Sequence, residues 1–329
     1  MDIISALKQS GLVGLGGASF PTWKKWESVK NSEERKKFFV CNLSEGEPGV
    51  FKDEYILQNH TIELVLGILL AAETVGATRS YIFINDKYKK YIKKLKRLIR
   101  GKKIEIFINT GRYLCGEETT LLQVIEGKER QPRQKPPYPG DCGLYGYPTL
   151  INNAETLYRA YLISQGNTDL KRFYSVSNDS GSRKIIEEKL DAKISEVISD
   201  SIIKSANFFR IGGVSGRFYS KNNMDQIVDG TGAIEIFSKK KTIFQALAES
   251  LVFLLNESCG KCTPCREGLY RVVEAMNELS NSENFWEHDE IIQTILDISS
   301  SAKSSSFCAL GRSISNPIES AIELLREKK

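Results

Sequence analysis

Four cysteines are spaced as ligands for an inorganic cluster. Cys259, Cys262 and Cys265 recur at every third position of one short stretch, and Cys308 lies far downstream. Three sulfurs on a glycine- and proline-bent loop, closed by a distant fourth, match a [4Fe–4S] cluster, which needs one thiolate at each iron. Zinc, which favours two separated cysteine pairs around one ion, and purely structural thiols remain the alternatives.

The cysteine count and the N-terminus argue against a disulfide framework. The chain has 7 cysteines, an odd number, and residues 1–5 show neither a basic segment nor a long apolar segment of an export signal. Reduced thiols in such a chain predict a cytoplasmic protein. The longest apolar run, at 64–72, is too short to cross a bilayer, so we expect any membrane association to come through a partner.

Length and composition are those of a globular protein with several domains. The chain has 329 residues, 41% of them hydrophobic and 26% charged, and a net charge of +5, which allows two or three domains. Much of the basic excess lies at 87–103, on one face of a predicted amphipathic helix. Because no nucleic-acid recognition motif accompanies it, a solvated face or one that docks an acidic partner is the better interpretation.

Strands and helices alternate in the N-terminal half, which predicts a parallel sheet. The strands are predicted at 38–42, 81–85 and 104–109, with a core helix at 61–76 and an amphipathic helix at 88–99.

A glycine-rich loop precedes a predicted helix near the N-terminus. Gly14, Gly16 and Gly17 carry no side-chain bulk, and Pro21 suits the first turn of the helix. Backbone N–H groups ahead of a helix can bind a phosphate. The spacing alone is a weak signal, because Ser19 replaces the third glycine of the dinucleotide fingerprint.

Two further loops suit ligand contacts. Residues 43–53 form an acidic, glycine- and proline-rich loop directly after a predicted strand, where α/β folds often bind ligands, although a solvated surface loop is the simpler alternative. Residues 111–156 are predicted as a functional loop system, because they are long for a structural connection.

The C-terminal half changes character twice. A polar linker at 164–168 leads into short strands between 173 and 237, typical of a small α+β domain, and the pattern is helical from 241 onwards. A helical bundle that holds the cluster at one end is the simplest architecture. Helices are predicted to about 256, from about 267, near 291 and after Pro317, with Asn316 as the last N-cap.

Six motifs occur in one order along the chain. They are Gly14-Leu-Gly-Gly-Ala-Ser-Phe-Pro-Thr22, Glu45-Gly-Glu-Pro-Gly49 with Lys52-Asp53, Cys115-Gly-Glu-Glu-Thr119, Lys135-Pro-Pro137, Asn152-Asn-Ala-Glu-Thr156 and Glu257-Ser-Cys-Gly-Lys-Cys-Thr-Pro-Cys-Arg-Glu-Gly268. Over essentially its whole length the chain resembles the flavoprotein subunit of respiratory complex I. This family includes the diaphorase subunits of NAD-linked hydrogenases, formate dehydrogenases and electron-bifurcating complexes.

The resemblance implies three domains. These are an α/β FMN- and NAD(H)-binding domain at 1–165, a small ubiquitin-like α+β (SLBB) domain at 166–240 and an all-α helical bundle at 241–329 that carries the iron–sulfur cluster. It also implies the cluster ligands Cys259, Cys262, Cys265 and Cys308.

The resemblance further implies two sets of binding residues. Those expected at FMN are Gly14, Gly16, Gly17, Lys25, Asn42, Glu45, Tyr113, Gly116, Glu117, Asn152, Asn153 and Thr156. Those expected at the nicotinamide dinucleotide are Phe20, Glu47, Glu118, Lys135 and Tyr138. Lys25 and Glu47 are the catalytic candidates: a lysine would stabilise negative charge on the reduced flavin, and a carboxylate suits ribose hydroxyls. Cys115 is expected to be a packed thiol rather than a ligand.

Several positions depart from the pattern of the family. Leu15, Ser19, Ser28 and Ser44 replace a basic residue, a glycine, an aromatic residue and an acidic residue, and Tyr138 stands where phenylalanine is usual. Loss of an aromatic side chain at Ser28 would weaken adenine stacking and so lower the affinity for the dinucleotide.

We therefore expect a subunit that oxidises NAD(P)H, or reduces NAD⁺, within a multi-subunit oxidoreductase. Its expected partners are a thioredoxin-like [2Fe–2S] subunit and a ferredoxin-containing or catalytic subunit, with no nucleic acid. The alternative is an electron-transfer or scaffold subunit whose dinucleotide site has decayed.

Overall fold

The first sheet is parallel, as the alternation of strands and helices predicts. The computed structural model describes residues 2–280 and 287–327. Four strands pair in the order β3-β2-β1-β4, all parallel. The strands are β1 (Phe38–Leu43), β2 (Arg79–Asn85), β3 (Ile104–Asn109) and β4 (Thr149–Asn153).

Helices cover both faces of this sheet. Alternate residues of β1 face opposite sides, so Phe39 and Cys41 join one apolar core and Phe38 and Val40 the other. The helices of this part are α1 (Ile3–Ser10), α2 (Thr22–Asn31), α3 (Lys52–Asn59), α4 (Thr61–Thr74), α5 (Ile92–Leu98), α6 (Glu118–Ile125) and α7 (Ala154–Ser164).

The second sheet is mixed and has five strands in the order β6-β5-β9-β7-β8. Its central strand, β9, runs parallel to β5 and antiparallel to β7. The elements are β5 (Lys171–Asn178), β6 (Arg183–Lys189), α8 (Ile194–Val197), α9 (Asp200–Ser205), β7 (Phe208–Ile211), β8 (Arg217–Tyr219) and β9 (Ala233–Phe237).

The C-terminal part is helical, as predicted. Its helices share an apolar core that includes Leu251, Leu269 and Ile295. They are α10 (Ile243–Glu257), α11 (Thr263–Ser280), α12 (Asp289–Ser305), α13 (Ala309–Arg312) and α14 (Ser315–Glu327).

Four sequence predictions need correction. The predicted loop system contains α6 and β4, and the 88–99 helix splits into a 3-10 turn over Asp86–Tyr91 followed by α5. α11 begins at Thr263, four residues before the predicted start, because Pro264 is tolerated in a first turn. Asn316 is not the N-cap of α14, which begins at Ser315; its amide instead donates to the Ser215 carbonyl oxygen.

Within residues 2–280 and 287–327, no single helix is both long and apolar enough to span a bilayer. In the same residues, α3 and α4 taken together reach that length and composition, but across a bend of 101°.

Gly67 lets α4 approach α7 closely. A methyl group at this position would overlap the carbonyl oxygen of Leu157 on α7. Backbone cannot move aside as a flexible side chain can, so the two helices would have to separate.

We therefore expect Gly67→Ala to destabilise the protein by about 1–3 kcal/mol through overpacking, despite the better helix propensity of alanine. The thermal unfolding midpoint measures the effect. Gly268→Ala on α11 is the control, because its new methyl group would meet only a side-chain methyl of Ile298, at 3.1 Å. Equal midpoints for the two variants would contradict the close approach.

Candidate functional site

Asparagines lie at or next to the carboxyl ends of all four strands of the parallel sheet. They are paired across the strands, Asn42 beside Asn153 and Asn85 beside Asn109. Ligands of open α/β sheets bind outside this edge. The row of amides therefore marks the edge at which a ligand site is expected.

Each of these amides holds a neighbouring loop. The Asn42 amide donates to the Gly116 carbonyl oxygen at 2.9 Å, and the Asn85 amide donates to that of Glu45 at 3.0 Å. Asn109 accepts from the Gly111 N–H, while its own buried amide nitrogen has no partner within the described residues. The 111–116 segment and the acidic loop are thus fixed above the sheet edge.

The glycine-rich loop lies over the junction of β4 and α7. The Leu15 N–H donates to the Thr156 hydroxyl at 2.9 Å, and a Cβ at Gly16 would lie 3.3 Å from that of Asn153. Gly16 and Gly17 are exposed. The loop therefore presents open backbone next to the N-terminus of α7, where Asn153 caps the helix. This cradle, which side chains would fill, fits a phosphate group.

Asn152 and Thr156 act partly through the protein itself. The side-chain oxygen of Asn152 accepts from the indole N–H of Trp26 at 2.8 Å, which fixes α2 against β4. Thr156 is fully buried beneath the glycine loop. Both residues thus position the elements that form the cradle.

Lys25, Glu118, Lys135 and Glu117 form a half-buried ion cluster. Glu118 lies 2.9 Å from Lys25 and 2.8 Å from Lys135, and Lys135 lies 3.0 Å from Glu117. Burial alone would raise the pKa of Glu118, but the two lysines outweigh it and lower the value to about 2. Both lysines thus remain beside an ionised carboxylate at neutral pH.

A second, fully buried charge cluster surrounds Lys52. Its ammonium is 3.1 Å from Asp53, 3.4 Å from Glu155 and 2.9 Å from the Asn153 side-chain oxygen. Burial alone would lower the pKa of Lys52, but the charges of Asp53, Glu155 and Glu45 outweigh burial, so the pKa is raised above its usual value. Lys52 is therefore a charged residue held inside the protein by its partners.

Glu45 is next to this cluster and interacts with the charges of Asp53 and Lys52. Its carboxylate accepts the Tyr88 hydroxyl at 2.5 Å and the Asp53 N–H at 3.2 Å. Burial and then the charge of Asp53 raise the pKa of Glu45 to about 7. This carboxyl can therefore gain or lose a proton near neutral pH.

Glu47 contacts the second sheet instead of the Lys25 cluster. It is 6% exposed and accepts the Val214 N–H at 2.9 Å. Gly213 makes room for it, because a Cβ there would overlap the carboxylate. Burial raises the pKa of Glu47 to about 8 against the opposing effects of the Val214 bond and Arg210.

Two aromatic side chains expected at the dinucleotide face solvent. Phe20 is 45% exposed and Tyr138 is 57% exposed, and the Lys25 ammonium is 6.0 Å from the Phe20 ring centre. Ser28 lies beside Gly140, whose added Cβ would be 3.2 Å from the serine hydroxyl. Position 28 therefore borders the loop that carries Tyr138.

A cavity of about 400 Å³ separates this loop from the cysteine site. Lys135 and Tyr138 line one side, and segment 304–309 with Arg312 lines the other. The dinucleotide candidates and Cys308 thus border one cavity.

The four candidate cluster cysteines are close enough to influence one another. Burial, with the charges of Cys262, Cys308 and Cys259, raises the pKa of Cys265 to about 11 against a hydrogen bond from Ser258. Cys262 and Cys265 are buried, and the other two are partly exposed. Cys115, by contrast, is a packed thiol that is 1% exposed.

The surroundings of these thiols fit a cluster. Burial raises the pKa of the Cys308 thiol, and the backbone N–H groups of Gly311 and Leu310 oppose that rise; such donors stabilise a thiolate. The Ser306 hydroxyl, 1% exposed, has no partner among residues 2–280 and 287–327. In that same part of the chain, no three His, Cys, Asp or Glu side chains are placed to hold a single metal ion. A four-iron cluster does not need such convergence, because each sulfur meets a different iron.

Ion pairs join the cysteine site to the loop above the sheet. Glu257, the last residue of α10, contacts Arg112 at 3.4 Å and Arg130 at 3.5 Å. Lys261, between two candidate ligands, pairs with Glu129 at 2.9 Å. Tyr113 also contacts the Phe253 ring of α10, with 5.4 Å between the ring centres.

The structure thus brings most of the sequence-predicted residues to one edge of the sheet, and it turns Glu47 towards the second sheet. Sequence reasoning assigned no role to Asn85, Asn109, Tyr88 or Glu155. The recurrence of asparagine at predicted strand ends could have indicated the first two. Nothing in the sequence could pair Tyr88 with Glu45, because they meet only through folding.

Comparison with known proteins gives two matching family models. Residues 7–162 match the Nuo51 FMN-binding domain, and residues 245–328 match the NADH-ubiquinone oxidoreductase-F iron-sulfur binding region. The chain is 32% identical over 372 residues to the NADH-quinone oxidoreductase F subunit of Buchnera aphidicola subsp. Schizaphis graminum, covering 99% of this chain and 83% of the relative. Its identity to the corresponding F subunit of Aquifex aeolicus is 30%, with 99% and 85% covered.

A solved structure of similar fold is that of the NAD⁺-reducing [NiFe]-hydrogenase in the H2-reduced state. The TM-score is 0.89 and the sequence identity 26%, and the match covers 99% of this chain. The chain spans 61% of the length of the matched hydrogenase chain.

The raised pKa of Glu47 predicts a pH-dependent stability. A carboxyl whose pKa rises on folding stabilises the fold below its unfolded pKa, and this contribution is lost as pH rises towards the folded value. For Glu47 the loss runs from about pH 4.5 to about pH 8.

We expect Glu47→Gln to remove this loss, because glutamine keeps the oxygen that accepts the Val214 N–H and carries no charge. The variant should be more stable than the wild type at pH 8.5 and similar at pH 5, as measured by thermal unfolding. Glu73→Gln, at an exposed position of α4, is the control and should follow the wild type. A Glu47→Gln curve parallel to the wild type would contradict the assignment.

Proposed function

Because the chain belongs to the family of NADH-quinone oxidoreductase F subunits, we propose that it is the NADH-oxidising flavoprotein component of a multi-subunit oxidoreductase. The observation that carries the proposal is the ion-pair contact of Glu257 with Arg112 and Arg130, which joins the candidate flavin edge to the cysteine site. When bound, FMN converts between hydride and single-electron transfer, and a [4Fe–4S] cluster relays single electrons.

We assign the FMN phosphate to the glycine loop and the start of α7. The exposed backbone of Gly16 and Gly17 can offer N–H donors, whereas the Gly14 N–H already donates to the Phe20 carbonyl oxygen at 2.8 Å and shapes the loop. Thr156 holds the loop against α7, and Asn153 caps that helix. The remaining flavin contacts are proposed to come from β1, β4, the acidic loop at 43–53 and the segment at 111–117. The residues are Asn42, Glu45, Tyr113, Gly116, Glu117 and Asn152.

Lys25 is proposed to provide positive charge beside the flavin. Its ammonium is 2.9 Å from Glu118 and only partly exposed, so its position is limited by that ion pair. Such a cation stabilises negative charge on a neighbouring group.

We propose that the dinucleotide binds over this cluster. Phe20 and Tyr138 offer exposed aromatic faces for the adenine, while Glu118 and Lys135 offer polar groups for a ribose. Glu47 would reach the dinucleotide only after its hydrogen bond with the Val214 N–H breaks.

We propose the domain boundaries 1–165, 166–240 and 241–329. The strand order of the second sheet, with β9 in the centre and parallel to β5, supports a ubiquitin-like (SLBB) domain. We further propose a cytoplasmic protein whose partners are a thioredoxin-like [2Fe–2S] subunit and a ferredoxin-containing or catalytic subunit, because its relatives are named as subunits.

Anaerobic purification and addition of NADH or NADPH test the function. We expect the protein to contain FMN, iron and labile sulfide, and NADH to bleach the flavin absorbance and support ferricyanide reduction. Bound flavin that neither nucleotide bleaches would instead favour a subunit with a decayed dinucleotide site, which the absence of an aromatic side chain at Ser28 suggests.

Substitution of one candidate ligand tests the assignment of the metal site. Cys262→Ser should lose most of the iron and keep FMN, because the cysteine site and the glycine loop belong to separate cores. Iron and flavin analysis measure both. Cys142→Ser, at an exposed cysteine outside the site, is the control and should keep both. Full iron content in Cys262→Ser would contradict the ligand assignment.

A further inference from the structure

The Glu257–Ser258 pair connects the two ends of the proposed electron path. Glu257 is 7% exposed, and its second carboxylate oxygen accepts the Leu114 N–H at 3.5 Å as well as the Arg130 guanidinium. Since its first oxygen contacts Arg112, residues on both sides of Tyr113 are tied to the end of α10. Ser258, which follows Glu257 and begins the cluster loop, is therefore attached to a residue whose position is fixed by these bonds.

Ser258 makes two hydrogen bonds inside the cluster loop. Its hydroxyl oxygen accepts the Gly260 N–H at 3.2 Å, and it lies 3.3 Å from the Cys265 sulfur. An iron-bound cysteine is a thiolate and has no proton to donate. The hydroxyl must therefore be the donor in the bond to Cys265, while its oxygen accepts the hydrogen bond from the Gly260 N–H.

The backbone geometry at Ser258 allows this contact without strain. The residue has φ −57° and ψ 137°, close to the polyproline II region. The serine is neither a candidate ligand nor part of the proposed flavin or dinucleotide sites. Its contact with a ligand sulfur is thus not explained by the functions already assigned.

We propose that Ser258 is a positioning residue whose hydroxyl donates to the Cys265 thiolate and so raises the reduction potential of the cluster. The inference rests on the proposed function, since it requires the cluster. Hydrogen bonds to ligand sulfurs are among the factors that set cluster potentials. A donor stabilises the reduced cluster more than the oxidised one, because reduction adds negative charge near the sulfur.

A redox titration followed by EPR tests the sign of the effect. Ser258→Ala should shift the midpoint potential of the cluster to a lower value and keep the iron and labile sulfide content of the wild type. Ser313→Ala is the control: this half-buried serine of the same helical part donates to the Leu310 carbonyl oxygen, not to sulfur. Its potential should equal that of the wild type.

An isosteric pair separates the hydroxyl from the shape of the side chain. Ser258→Thr keeps the donor and Ser258→Val replaces it with a methyl group, so the threonine variant should have the higher potential. The potentials of the threonine and valine variants are compared in the iron-loaded fraction of each, so that a partial loss of iron does not obscure the difference.

Two results overturn the inference, and they are distinguishable. Equal potentials in the iron-loaded threonine and valine variants would overturn the role of Ser258 and leave the proposed function intact. Wild-type protein without iron and labile sulfide would overturn the proposed cluster and the inference with it.

Discussion

The buried ammonium of Lys52 is the constraint on which the site depends. A buried charge is tolerated only when partners offset its lost hydration, and removing one partner of such a pair typically costs about 3–5 kcal/mol. Here Asp53 comes from α3, and Glu155 and Asn153 come from the start of α7. The Phe173 N–H donates to Glu155, so the second sheet joins the same network. One cation thus fixes the acidic loop, α7 and the second sheet together.

The same network positions the loops at the edge of the parallel sheet. The glycine loop has few side chains of its own, and the hydrogen bond from the Leu15 N–H to the Thr156 hydroxyl fixes its position. Thr156 directly follows Glu155, which pairs with Lys52. Glu45, whose carboxylate accepts the Asp53 N–H, is held at the same edge. Because these groups share one buried core, a substitution at Lys52 would disturb loops that it does not contact. Preorganisation of this kind lowers the cost of ordering a site when a ligand binds.

The sequence predicts three of the four strands of the parallel sheet, the helical C-terminal part and the cysteine quartet, because hydrophobic periodicity and ligand spacing are local signals. It does not predict β4, which lies within the predicted loop system. It does not predict α6, whose N-cap is the Glu117 carboxylate bonded to the Thr119 and Thr120 N–H groups, since prolines and glycines on both sides conceal the helix. The contacts of Glu47 are also not predictable. They depend on Val214, which is distant in sequence, and on the space that Gly213 leaves.

The edge of the parallel sheet and the cysteine site differ in their electrostatic environments. At the sheet edge, Lys25 and Lys135 keep Glu118 ionised, with a pKa of about 2, while burial raises the pKa of Glu45 to about 7. Beside the second sheet, burial raises the pKa of Glu47 to about 8. At the cysteine site, N–H donors face Cys308 and a hydroxyl faces Cys265. Glu257 connects these regions through Arg112, which lies in the 111–116 segment above the sheet edge, and through Arg130. A half-exposed pair such as Arg112–Glu257 contributes little to stability, so the value of this contact lies in fixing the distance and orientation between the two regions.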